Sequence, residues 1–150
     1  MSALNIGEFA PDFTAKNQRG ADISLRDFKG KKVILYFYPK DDTPGCTAES
    51  CNLRDNYDTF LKQGYEVIGV SNDDVDSHKK FAEKYDLPYN LIADTDKSIV
   101  EKYGVYGEKN TFGKKHMGIN RTTFIINGDG MIEKIINKVD TKNHSEQILA

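Results

Sequence analysis

The 150-residue chain lacks tryptophan and has few cysteines, prolines and histidines. It also lacks a long hydrophobic run. The longest purely apolar stretch is residues 33–38, whereas a membrane-spanning helix needs about 20 apolar residues, so we expect no membrane segment. The first residues, MSALNIGEFAPDF, do not place a basic segment before an apolar one. We therefore expect no signal peptide and a soluble, cytoplasmic protein.

An excess of charge of one sign is missing as well. The chain has 21 lysines and arginines against 23 aspartates and glutamates, and the basic residues are scattered. A nucleic-acid-binding surface requires a basic patch or stripe, so nucleic acid is excluded as a partner. The length fits one domain, residues 1–150, that is large enough for its own hydrophobic core.

The two cysteines, Cys46 and Cys51, are too few for a disulfide framework, and in a reducing compartment catalytic or redox use is the better interpretation. The three histidines, His78, His116 and His144, lie far apart and show no metal-ligand spacing relative to the cysteines. We therefore expect neither a metal ion nor another cofactor.

The hydrophobic pattern predicts an α/β chain in the order β-α-β-α-β-α-β-β-α, with a central mixed sheet flanked by helices on both faces. The predicted strands are residues 32–38, 65–71, 90–93, 121–126 and 131–139, and the predicted helices are residues 44–63, 75–85, 97–103 and 143–149. Residues 105–120, rich in glycine and lysine, are predicted to form a long loop.

The most informative segment joins the first of these strands to the first helix and reads PKDDTPGCTAESC, residues 39–51. Thr43 suits the N-cap and Pro44 the first helical position, which puts Cys46 in the first turn. Backbone N–H groups there lack intrahelical partners, and the helix dipole favours negative charge. A thiol in that position should ionise more readily than a free one and act as a nucleophile.

The pattern Pro39-x-x-x-Thr43-x-x-Cys46 resembles the active-site signature of the peroxiredoxins, and YPKDDTPGCTAESC is similar to the bacterioferritin-comigratory protein or peroxiredoxin Q branch. Three further segments, GEFAPDF, YGVYGEK and GINRTTF, match that branch in order and spacing. The last of them contains Arg121. The resemblance covers nearly the whole chain.

This resemblance implies a thioredoxin fold of the peroxiredoxin type and a thiol peroxidase that reduces hydrogen peroxide and organic hydroperoxides. Thioredoxin, or glutaredoxin, would supply the electrons. By the same resemblance Cys46 is the peroxidatic cysteine and Cys51 the resolving one. Thr43 and Arg121 would be the polar groups around the thiolate, and Pro39 would shield it. Because the resolving cysteine is internal, we expect a monomer.

The spacing of the two cysteines has a mechanical consequence. Five residues along an ideal helix separate two Cα atoms by about 8.6 Å. A disulfide tolerates at most about 7 Å. Cys46 and Cys51 therefore cannot bond while both stay helical, and we expect the reduced form to be helical and the oxidised form to be locally unwound.

Some alternatives stay open at this stage. A dithiol oxidoreductase acting on protein disulfides would be expected to carry C-x-x-C, whereas this chain has four residues between its cysteines. A redox-sensing or chaperone-like module could use the same switch without turnover. Glu49, on the same helical face as Cys46, either orients Arg121 or is a solvated surface charge.

Overall fold

The structure is a computed structural model that describes residues 4–111 and 113–149. The strands are β1 Thr14–Lys16, β2 Asp22–Ser24, β3 Lys32–Phe37, β4 Tyr65–Ser71, β5 Asn90–Ala93, β6 Tyr106–Thr111, β7 Lys114–Ile119, β8 Thr122–Ile126 and β9 Ile132–Ile136. The helices are α1 Pro44–Asp55, α2 Tyr57–Lys62, α3 Val75–Tyr85, α4 Ser98–Lys102 and α5 His144–Leu149. No helix within these described ranges is long and apolar enough to cross a membrane.

The central sheet has the strand order β5-β4-β3-β8-β9. Strands β3, β4 and β5 run parallel to one another, and β8 and β9 are antiparallel to their neighbours. The predicted mixed sheet is therefore confirmed. The register pairs Phe37, at the end of β3, with Thr122, at the start of β8, so the chain enters β8 beside the point where it leaves β3 for α1.

Strand β3 divides the hydrophobic core into two layers, because its successive side chains point to opposite faces. Val33, Leu35 and Phe37 pack in the layer that contains α4. The alternate side chains of the same strand pack in the layer that contains Cys46 and residues of α1, α2, α3 and α5. Helices thus cover both faces of the sheet, as the alternating sequence pattern predicts.

The predicted helix over residues 44–63 is interrupted. It ends at Asp55, and α2 starts again at Tyr57. Asn56 between them has φ −110° and ψ 10°, and its side-chain amide donates to the Asn52 carbonyl oxygen at 2.9 Å. Asparagine side chains compete with the backbone for such carbonyl groups, which explains the break.

The predicted loop over residues 105–120 is wrong, because this segment forms the antiparallel hairpin β6–β7. Its glycines serve close packing as well as the turn. Gly107 and Gly118 face each other, and a Cβ atom on Gly118 would lie 3.0 Å from the Lys109 Cδ atom. Glycine there lets the Lys109 side chain lie across the hairpin, whereas Gly113, with φ +78°, belongs to the turn.

Candidate active site

Cys46 is the third residue of α1 and is buried, with 1% of its surface exposed. Thr43 precedes the helix with an extended backbone, and its carbonyl oxygen accepts from the Thr47 N–H group at 2.8 Å. Cys46 therefore lies in the first turn, as the sequence predicts. Its sulfur is held where helix N–H groups and the helix dipole favour an anion.

Arg121 meets Cys46 although 75 residues separate them in the chain. It immediately precedes β8, beside the end of β3, and its Nη2 donates to Cys46 Sγ at 3.3 Å. A Cβ atom at Gly45 would lie 3.2 Å from the same nitrogen, so glycine leaves room for the guanidinium beside the helix. A cationic donor and a thiol at a helix start are thereby brought into contact.

The second arm of the Arg121 guanidinium binds Glu49, whose Oε1 accepts from Nη1 at 2.7 Å. Burial lowers the pKa of Arg121, but the nearby Cys46 and Glu49 outweigh burial, and the pKa of Arg121 is raised overall. The arginine is therefore held as a cation between two acidic groups, in the forked geometry for which guanidinium is suited.

Glu49 has no exposed surface. The interpretation of Glu49 as a solvated surface charge is therefore wrong, whereas its contact with Arg121 agrees with the orienting alternative. Burial, opposed by Arg121, raises the pKa of Glu49 to about 7. Its second oxygen, Oε2, lies 3.5 Å from Nε2 of the buried His144 on α5.

Thr43 occupies the N-cap position, but its hydroxyl does not cap the helix. The Oγ1 atom donates instead to the Lys40 carbonyl oxygen at 2.9 Å. The expected hydroxyl bond to a helix N–H group is therefore absent, and this hydroxyl proton is used in the bond to Lys40. Pro39 is half-buried directly after Tyr38, where the chain turns from β3 towards α1.

Cys51 lies further along α1 and is half-buried, and both cysteines are free thiols. The helix is continuous through both positions, as we predict for the reduced form. Burial raises the pKa of Cys51, with Arg54 opposing and Asp55 adding to the shift. In this conformation Cys51 is therefore a weaker nucleophile than an exposed thiol.

Comparison with known proteins assigns the chain to a family. The model of the AhpC/TSA family matches residues 6–135. The chain belongs to the AhpC/TSA family. The putative peroxiredoxin bcp of Coxiella burnetii is 48% identical over 147 residues, which cover 98% of this chain and 97% of that protein. Peroxiredoxin Bcp of Escherichia coli K12 is 43% identical over 149 residues, covering 99% and 96%.

A solved structure gives the same result. Peroxiredoxin Q of Xanthomonas campestris superimposes with a TM-score of 0.86 at 34% identity, covering 91% of this chain and 87% of that one. The resemblance to the bacterioferritin-comigratory protein and peroxiredoxin Q branch is thus confirmed, together with the thioredoxin fold. The chain is a peroxiredoxin, and its enzyme class is that of the thiol peroxidases.

Lys109 is a further cation near the site of this peroxiredoxin. It lies across the β6–β7 hairpin, and its Nζ donates to the Ile119 carbonyl oxygen at 2.8 Å. Burial and the charge of Arg121 lower the pKa of Lys109, while Cys46 opposes the shift. The sequence carries the lysine within YGEK, but the wrong loop assignment for residues 105–120 hid its relation to Cys46.

The turn between β3 and α1 is also part of a second polar cluster, which the sequence did not predict. The Asp41 carboxylate accepts from Tyr38 Oη at 2.6 Å and lies 2.6 Å from His78 Nδ1. The Asp41 backbone N–H group donates to Asp73 Oδ2 at 2.8 Å, and His78 Nε2 lies 2.9 Å from the Ile92 carbonyl oxygen. This cluster attaches the active-site turn to the segment before α3, to α3 itself and to β5.

Potential metal-ligand atoms of Asp41, Asp73 and His78 lie within 4.8 Å of one another. Sequence spacing alone does not bring these residues together. Each of the three side chains is already engaged by hydrogen bonds inside the cluster. These hydrogen bonds make the cluster a structural anchor for the turn.

Proposed function

We propose that this peroxiredoxin reduces hydrogen peroxide and organic hydroperoxides through the Cys46 thiolate. The observation that carries the proposal is the contact of Arg121 Nη2 with Cys46 Sγ at 3.3 Å in the first turn of α1. A cation and free helix N–H groups stabilise a thiolate, which is the reactive form of cysteine. The same donors would also stabilise charge on the departing oxygen.

In the first step the thiolate sulfur attacks one peroxide oxygen and the O–O bond breaks. The sulfur takes up one oxygen and becomes a sulfenic acid. The other oxygen leaves with the electron pair of the broken bond, as hydroxide or alkoxide, and takes a proton from solvent to give water or an alcohol. We propose that Arg121 stabilises the developing negative charge and that Pro39 shields the sulfur. The Thr43 hydroxyl donates to Lys40 but keeps lone pairs that can accept the hydroperoxide O–H.

In the second step the Cys51 thiol attacks the Cys46 sulfenic sulfur, a disulfide forms and water leaves. Both residues belong to one continuous helix, where an ideal geometry separates their Cα atoms by about 8.6 Å. The helix must therefore unwind between them. Unwinding would also remove Cys51 from the surroundings that raise its pKa, and so would activate it when it is needed.

A dithiol protein, thioredoxin or glutaredoxin, would then reduce the disulfide by thiol–disulfide exchange and restore both thiols. Because both cysteines belong to one chain, the cycle needs no second subunit, and we propose a cytoplasmic monomer. The disulfide of the unwound segment would be accessible to such a reductant.

The test is rapid-mixing oxidation by hydrogen peroxide, with wild type compared with Cys46→Ser and Cys51→Ser. We expect Cys46→Ser to abolish the reaction. Cys51→Ser should form a sulfenic acid that a dimedone probe traps but should not turn over with thioredoxin. Fast oxidation in Cys46→Ser would overturn the assignment of the peroxidatic residue.

The same proteins distinguish the competing functions. A dithiol oxidoreductase would reduce an insulin disulfide and consume little peroxide, and a redox-sensing module would react once without turnover. We expect peroxide consumption that depends on thioredoxin and requires no protein disulfide substrate.

A further inference from the structure

The buried carboxylate of Glu49 is only half satisfied. Its Oε1 binds Arg121, whereas its Oε2 finds no hydrogen-bond partner among residues 4–111 and 113–149. Glu49 has no exposed surface. An unpaired carboxylate oxygen in such surroundings is costly, so a proton belongs at this position.

His144 is a titratable group that lies beside Glu49 Oε2. It is fully buried at the start of α5, and its Nε2 lies 3.5 Å from Glu49 Oε2. The same nitrogen lies 2.7 Å from the hydroxyl oxygen of Thr123. The α5 helix thus brings a titratable ring to the far side of the Arg121–Glu49 pair from the thiol.

The hydrogen bonds around Gln147 fix the tautomer of His144. The Gln147 amide nitrogen donates to the Lys138 carbonyl oxygen at 2.9 Å, and its Oε1 accepts from the Asp140 N–H group at 2.9 Å. Because Oε1 is an acceptor, His144 Nδ1, which lies 2.8 Å from it, carries a proton and donates. In the neutral ring, Nε2 is then an acceptor with one lone pair, for which the Thr123 hydroxyl at 2.7 Å and a proton on Glu49 Oε2 at 3.5 Å compete.

From this geometry we propose that Glu49 and His144 share one proton, and that His144 is a positioning residue that acts through Glu49 and Arg121 on Cys46. With the proton on either partner, the Glu49–His144 pair has no net charge. The positive charge of Arg121 then acts on the Cys46 sulfur and the peroxide. The inference rests on the function proposed above. When the pair loses its proton to solvent, Glu49 competes with the thiolate for Arg121.

The electrostatic surroundings agree with a proton held on Glu49 and a neutral His144. Burial raises the pKa of Glu49 to about 7. Burial also lowers the pKa of His144. The hydrogen bond to Gln147 and the charge of Asp140 oppose this shift, whereas the charges of Arg121 and Lys134 add to it. The other titratable or charged groups that act on this pair or on Arg121 are Cys46 on α1, Tyr89 before β5, Lys109 on β6, Lys134 on β9 and Asp140 before α5.

The test measures the rate constant of Cys46 oxidation by hydrogen peroxide from mildly acidic to mildly alkaline pH, in a Cys51→Ser background that isolates the first step. In wild type we expect the rate constant to fall by roughly tenfold on the alkaline side as the pair loses its proton. His144→Phe keeps an aromatic ring but removes the acceptor nitrogen Nε2, so the fall of the rate constant should move to lower pH. In Glu49→Gln, which cannot ionise, it should vanish.

Asn72→Ala is the control, because it removes a side-chain hydrogen bond to the Asp94 carbonyl oxygen but leaves Glu49, His144 and Thr123 in place. In Asn72→Ala the alkaline fall of the rate constant should occur within about half a pH unit of its position in wild type. An unchanged pH profile in a folded His144→Phe protein, as judged by circular dichroism, would overturn the inference.

A second measurement is independent of catalysis and remains available if His144→Phe does not fold. Nitrogen NMR of the wild-type histidine rings should show His144 protonated at Nδ1 and neutral. Infrared difference spectra between mildly acidic and mildly alkaline pH should show a protonated carboxyl band that Glu49→Gln lacks. An ionised Glu49 beside a neutral His144 throughout this range would refute the shared proton. Failure of peroxide to oxidise Cys46 would instead refute the proposed function and leave these spectra unaffected.

Discussion

Replacement of Asn52 by alanine should speed the formation of the Cys46–Cys51 disulfide. Asn52 follows Cys51 and ties α1 to the C-terminal segment. Its Nδ2 donates to the Lys142 carbonyl oxygen at 2.9 Å, and its Oδ1 accepts from the Ser145 N–H group at 2.7 Å. Both bonds hold the helix in the form in which the two cysteines cannot meet.

The size of the effect follows from these two bonds. Each intramolecular hydrogen bond contributes about 0.5–1.5 kcal/mol, so Asn52→Ala should destabilise the folded α1 relative to the unwound form by roughly 2 kcal/mol. Since 1.4 kcal/mol corresponds to about a factor of ten, the unwound population should rise roughly 30-fold. If unwinding limits the second step, the rate constant of disulfide formation should rise by up to the same factor.

The assay adds one equivalent of hydrogen peroxide, quenches with acid at short times and separates sulfenic acid from disulfide by mass spectrometry. Oxidation of Cys46 should remain within about twofold of wild type, because Arg121 and Glu49 are untouched. Asn72→Ala is the control, since its amide donates to the Asp94 carbonyl oxygen, away from α1. If Asn52→Ala loses stability but forms the disulfide no faster than wild type, the coupling between unwinding and resolution is refuted.

Three further outcomes follow from the site. Arg121→Lys keeps the charge but cannot bridge Cys46 and Glu49, so peroxide oxidation measured by rapid mixing should slow about 100-fold, and a loss below threefold would contradict this role. Gly45→Ala places a methyl group 3.2 Å from Arg121 Nη2, so the same assay should show a loss of about threefold to tenfold without a change in helicity. The pKa of Glu49 is raised from 4.5 to about 7 in the folded state, which binds the proton more tightly than the unfolded chain. The free energy of unfolding should therefore decrease by roughly 3 kcal/mol as pH rises through this window, and urea titrations of Glu49→Gln should lack that decrease.

The part of the site that is local in sequence could be predicted from sequence. A hydrophobic strand, a turn, Thr43 and Pro44 suffice to place Cys46 in the first turn of a helix, because each of these preferences acts over a few residues. The continuous helix through Cys51 follows from the same pattern. The hydrogen bond of the Thr43 hydroxyl could not be predicted, because two acceptable partners compete and the turn geometry selects the Lys40 carbonyl oxygen.

The contacts that depend on strand pairing could not be predicted from the residue pattern. Arg121 reaches Cys46 because β8 pairs with β3 in a register that sets Thr122 opposite Phe37. The sequence pointed to Arg121 only through its resemblance to a family. In the same way, His144 meets Glu49 only after α5 packs against α1, and no spacing along the chain signals that contact.

The hairpin β6–β7 was missed for a different reason. Glycine and lysine are poor indicators of strands, and β7 is exposed over most of its length. Its backbone pairing is nevertheless regular, with Gly107 opposite Gly118. Glycine in such a segment does not always indicate a loop, because within a strand it can make room for a long side chain such as Lys109.

Helix α1 is fastened at both of its ends. Ahead of it, the Asp42 carboxylate accepts from Lys84 Nζ and Tyr85 Oη, each at 2.8 Å, and behind it Asn52 binds the C-terminal segment. Every bond that favours the wound helix favours the dithiol over the disulfide, and so makes the reduction potential less negative by about 30 mV per 1.4 kcal/mol. In the proposed cycle, oxidation by peroxide therefore extends the helix, and its refolding favours the transfer of electrons from the reducing partner to the two cysteines.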